Sequence, residues 1–114
     1  MEIKETVKAV HENAEKHGFW EDYNEIFDTE MSVKFRGQMI NNAIGNRLML
    51  ISGEVAEAHE GLRKNDTENF KEELADIVIR VMDLCGGLRI DLEAEIKAKM
   101  EKNKDRPYKH GKSF

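Results

Sequence analysis

At 114 residues the chain is long enough for one domain (1–114) with a modest core and a large surface. Charged residues make up 36% and apolar residues 39%, a balance expected of a soluble, helix-rich protein, and no apolar run approaches the ~20 residues that span a bilayer. The net charge of −5 is unevenly spread: residues 97–114 hold seven Lys and Arg against two carboxylates, so the acidic body with its basic tail (about 104–114) argues against a nucleic-acid polymer as partner.

Glu2–Lys16 is predicted to be a first helix, with Ile3, Val7, Val10 and Ala14 at helical spacing and Gly18 as a stop. The opening MEIKETVKAV lacks the apolar centre of a signal peptide. Residues 18–34 have no clean period and are expected to connect. Within them Phe19, Trp20 and Tyr23 either cap the core or offer a flat surface to a nucleobase. A second helix is predicted from about Phe35 to Arg63. Its apolar positions Ile40, Ile44, Leu48, Ile51, Val55, Ala58 and Leu62 advance by fours and threes as a bundle seam. Gly45 and Gly53 inside it suggest a close helix approach or a bend. Lys64–Thr67 is a short turn, with Asp66 or Thr67 as the next N-cap, which makes the flanking helices antiparallel neighbours.

The third helix carries the most informative stretch, Glu73–Leu88. It is apolar around most of its circumference, apart from a narrow stripe of Glu73, Asp76, Arg80 and Asp83. Cys85, alone in the chain, sits on the apolar face; a small core residue and a reducing cytoplasm fit it. Gly86-Gly87 ends or loosens this helix. Asp91 then caps a fourth, Leu92 to about Lys104, on which Lys99 and Asn103 share one side. The tail from Arg106 is not expected to be helical.

Glu54-x-x-Glu57 and Glu73-x-x-Asp76 lie on either side of the tight turn, so the two pairs are expected to face each other. Four carboxylates converging from two helices suit a hard divalent cation, Mg2+ or Mn2+, which retains positions for phosphate oxygens. No histidine follows a glutamate by three residues, which removes the di-iron motif, and one cysteine with scattered histidines does not make a zinc site.

These residues resemble the MazG-like nucleotide pyrophosphohydrolases. The resemblance covers about residues 38–114 and is carried by the two acidic pairs, by SGEVAEAHEGLRK and EELADIVIRVMDL, and by the ending KMEKNKDRPYKHGKSF with its Asn103-x-x-Arg106-Pro107. It implies an all-α fold, here an antiparallel four-helix bundle completed by dimerisation, dimeric or built from dimers. It also implies hydrolysis of nucleoside triphosphates to monophosphate and pyrophosphate as nucleotide-pool housekeeping. By that resemblance Glu54, Glu57, Glu73 and Asp76 bind Mg2+, with Glu54 and Glu57 as candidate catalytic bases. Lys99, Asn103 and Arg106 hold phosphates or close over them, and Trp20 is kept as a candidate substrate contact. Arg80 is either a buried partner for Asp76 or Asp83 or a phosphate contact, and Asp83 is read as structural. Rival readings are a related pyrophosphohydrolase of another substrate (dUTP-type or phosphoribosyl-ATP) and a non-catalytic helical interaction module. The third helix is apolar on two faces, more than four helices of this length cover, which also argues for a homo-oligomer.

Overall fold

The computed structural model describes residues 2–114. Regular structure in them is entirely helical: α1 (Ile3–Lys16), α2 (Glu21–Asp28), α3 (Val33–Arg63), α4 (Thr67–Gly87) and α5 (Leu92–Lys104). A short turn, Tyr108–Gly111, follows, in which Lys109 and His110 take left-handed φ values of 53° and 52°. No helix among the described residues is long and apolar enough to cross a membrane.

Five helices thus stand where four were expected. The extra one, α2, falls inside the region read as a connection. Its eight residues have no side-chain N-cap, and two turns are too few for an apolar period to declare itself. α1 likewise has no side-chain cap, whereas α3, α4 and α5 are capped as their chemistry dictates. The Ser32 hydroxyl accepts the Phe35 N–H, Asp66 accepts that of Asn69, and Asp91 accepts that of Ala94.

The longest elements, α3 and α4, form an antiparallel hairpin. Its turn is tight because Asn65 adopts a left-handed φ of 56° and the Asp66 N–H returns to the Gly61 carbonyl at 2.9 Å. Gly61 is buried there, and a Cβ on it would lie 2.9 Å from Asn69 Nδ2 and 3.3 Å from the Phe70 amide. Gly61 is thus the glycine of α3 that permits a close approach, whereas Gly45 and Gly53, where a close approach or a bend is expected, have no neighbour within 4 Å of a Cβ. At the other end of α4, Gly86 and Gly87 do more than loosen a helix. A Cβ at Gly87 would clash with the Trp20 ring at its Cη2, and one at Gly86 would strike His11, so the missing side chains seat α1 and the α1–α2 link against α4.

Packing beyond the hairpin is uneven. α1 lies on α4, α2 on α3, and α5 chiefly against α1. The radius of gyration is 17.3 Å, where a compact domain of this length has about 13 Å. The accessible surface is 8974 Å², against about 6,400 Å² for a compact monomer of this mass. Much of the excess is apolar. Along the expected seam of α3, Ala58 is buried, but Leu48, Val55 and Leu62 remain 53%, 50% and 59% exposed, with Leu74 and Val78 of α4 also half open.

Candidate active site

The hairpin brings Glu54 and Glu57, one turn apart on α3, opposite Glu73 of α4. One carboxylate oxygen from each lies within 4.8 Å of the other two. Asp76, expected as the fourth member, stands outside this cluster. It is exposed and borders an adjoining groove with Glu54 and Arg80. Arg80 does not pair with Asp76 or Asp83. It crosses to α3, where its Nε donates to Glu54 Oε1 at 2.7 Å.

The charges are unbalanced, and the groups register it. The Arg80 guanidinium holds the Glu54 carboxyl below the usual glutamate range. Glu73, hemmed by Glu54 and Glu57 and partly desolvated, is pushed up to about 7. Its Oε2 is shielded from solvent and has no hydrogen-bond partner among the described residues. A shielded carboxylate oxygen without a donor, facing two more carboxylates, is a costly arrangement unless a cation completes it. An all-oxygen donor set of this kind fits a hard divalent ion. The residues present therefore fit such a metal.

The groove beside the cluster has a volume of about 870 Å³ and runs between α1, α3 and α4, within the range of small-molecule sites. Glu54, Asp76 and Arg80 border it, as do Asn13, Asn46 and Phe19. Glu54 and Asn46 are two turns apart on α3, about 12 Å along its axis, so the groove extends from the acidic cluster to a region where Asn46 and Phe19 lie beside the Arg47–Asp22 ion pair. Asn13 and Asn46 were invisible to sequence reading, since neither belongs to a motif nor interrupts a period.

Trp20 corrects the expectation of a substrate contact. It is 2% exposed and sits in the core, with its Nε1 donating to Asp83 Oδ1 at 2.8 Å. His11 Nδ1 lies 3.0 Å from the same oxygen, and the Arg47 guanidinium covers the ring at 4.1 Å while pairing with Asp22 at 2.8 Å. One face and the N–H of the indole are thus committed to structure, and the ring is sealed from solvent. Lys99, Asn103 and Arg106 are exposed on α5 and just beyond it, and none of them borders the groove.

The fold and the site together define an all-α protein in which carboxylates from two antiparallel helices converge at the rim of a ligand-sized groove. Residues 45–110, more than half of the chain and including the whole hairpin turn, match the MazG nucleotide pyrophosphohydrolase domain. The chain belongs to that family. Comparisons with curated proteins and with solved structures gave no significant match.

Proposed function

We propose that the protein is a Mg2+-dependent nucleoside triphosphate pyrophosphohydrolase, converting a (d)NTP and water to a (d)NMP and pyrophosphate, with Mn2+ as an alternative metal. The observation that carries this reading is the Glu54–Glu57–Glu73 cluster with its partnerless Glu73 oxygen, set beside the groove. These three residues hold the cation, and Asp76 adds a carboxylate from the groove wall. When bound, the metal supplies positive charge that polarises the phosphate chain and favours deprotonation of an attacking water.

The residues of the chain do the rest. Glu57 is exposed, and its carboxylate makes no hydrogen bond among the described residues, whereas Glu54 is tied to Arg80. Glu57 is therefore the better placed of the two candidates to accept the proton of the water that adds across the α–β anhydride. Asn46, two turns along α3 from Glu54, borders the part of the groove away from the cluster, where the nucleoside would rest.

A homodimer accompanies this reading. The open row Leu48–Val55–Leu62 on α3, together with Leu74 and Val78, is covered by a second copy. Lys99, Asn103 and Arg106, remote from the groove of their own chain, serve as phosphate contacts from the partner subunit.

Incubation with each (d)NTP and Mg2+, followed by assay of pyrophosphate, tests the activity. Pyrophosphate release abolished by a chelator is the expected result. Absence of cleavage for every nucleotide, with Glu73→Gln plus Asp76→Asn raising thermal stability and leaving Mg2+ uptake unchanged, would establish a salt-bridged interaction module instead.

A further inference from the structure

Arg80 is the one cation that reaches the carboxylate cluster among the described residues. It lies on α4 one turn beyond Asp76 and two beyond Glu73, on the same face. Its Nε is committed to Glu54 Oε1 at 2.7 Å, yet its Nη atoms make no hydrogen bond among the described residues, and the side chain is 40% exposed where it borders the groove. One edge of the guanidinium thus grips a cluster carboxylate while the other faces the space a ligand would fill.

The arrangement is one of substitution. A guanidinium and a divalent cation both draw on the Glu54 carboxylate, and like charges so close oppose each other. A guanidinium released from Glu54 retains a planar fork of donors, the geometry that matches phosphate oxygens. We propose that Arg80 is a resident counter-ion that exchanges partners. It neutralises Glu54 in the metal-free protein, yields that carboxylate to the cation, and turns its fork to the phosphates of the ligand in the groove. Arg80 is therefore a positioning residue before the ligand arrives and a phosphate contact afterwards. The inference rests on the metal-dependent reading above for the identity of the cation and the ligand.

This exchange has a signature of two opposite signs, which a merely structural arginine would not produce. In Arg80→Met, calorimetric titration with Mn2+ alone is expected to give about tenfold tighter binding, because a competing positive charge is gone. Titration of the Mn2+-loaded variant with imidodiphosphate, a hydrolysis-resistant pyrophosphate, is expected to give about tenfold weaker binding, because the fork is gone. Arg80→Lys, which keeps the charge and loses the fork, is expected to retain wild-type Mn2+ affinity and to recover only part of the imidodiphosphate affinity. Mn2+ affinity unchanged or weakened in Arg80→Met, with helicity by circular dichroism intact, would overturn the exchange. Should Arg80→Met fail to fold, Arg80→Lys decides: imidodiphosphate affinity equal to wild type overturns the proposal. A wild-type protein that takes up no Mn2+ at a site sensitive to Glu73→Gln would overturn the metal-dependent reading itself, and the exchange with it.

Discussion

The two ends of the α4 helix differ in how far they are finished. Near Cys85, the groups are fully partnered: Asp83 receives Trp20 and faces His11, Arg47 covers the indole and pairs with Asp22, and two glycines let the aromatic ring and α1 settle against the backbone. Near Glu73, a carboxylate oxygen lacks a donor, three acids crowd one another, and the apolar row on α3 lies open. The contrast separates two uses of polar groups. A part-buried acid supplied with donors fixes a fold, whereas a shielded acid left among other acids is held ready for a ligand.

The widest separation of the two ends should come from activity. Glu57→Gln is expected to lower pyrophosphate release by about 10³-fold while leaving the chemical denaturation midpoint close to wild type; a variant of unaltered kcat/KM would remove Glu57 from the reaction. At the closed end, Trp20→Ala should cost about 3–5 kcal/mol of stability by urea denaturation, and loss of less than about 1 kcal/mol would mean that the ring is not holding α1 in place. Val55→Asp, on the open row, is expected to shift the protein from dimer to monomer by light scattering with its helicity unchanged; a wild type that is itself monomeric would refute the proposed dimer. The smallest effect concerns pH. Because Glu73 rises from the ordinary value of 4.5 to about 7 on folding, the folded state binds the extra proton. The associated stability is fully present below pH 4.5, is lost as pH climbs towards 7, and stays lost above it. The metal-free protein should therefore melt a few degrees lower at pH 8 than at pH 5 from this source, and Glu73→Gln should flatten that slope. A slope unaltered by Glu73→Gln would assign it to other groups.

Much of the open end could be read from the sequence because it is built by short-range rules. Asp66 is a plain N-cap, the seven α3 apolar positions from Ile40 to Leu62 keep helical spacing for about six turns, and acidic pairs on either side of a tight turn must come near each other. Departures arise where the deciding partner is distant in the chain. Arg80 reaches Glu54 across the hairpin instead of an acid on its own helix, and Asp76, though on the same face as Glu73, is turned towards the groove. The closed end was harder to foresee for the same reason. A Gly-Gly pair reads locally as a helix stop, and only the arrival of Trp20 and His11 from 60 to 80 residues away reveals it as a docking surface. Trp20 itself gives no local sign of whether its ring will stack on a ligand or be sealed in by an arginine. The eight residues of α2 are too few to display a period.

The turn at Asn65 acts as the gauge of the molecule. Counting outward from Asn65, Glu57 and Glu73 stand at equal distance along the chain, so the acids meet only while the link keeps its present length. One added residue there would swivel everything downstream by about 100°. Either Glu73 would then look away from its companions, or the glycine seat for Trp20 would swing off α1. The left-handed φ of Asn65 and the Asp66 cap restrict the composition of this link, and a change in its length would ask the chain to choose between its chemistry and its core.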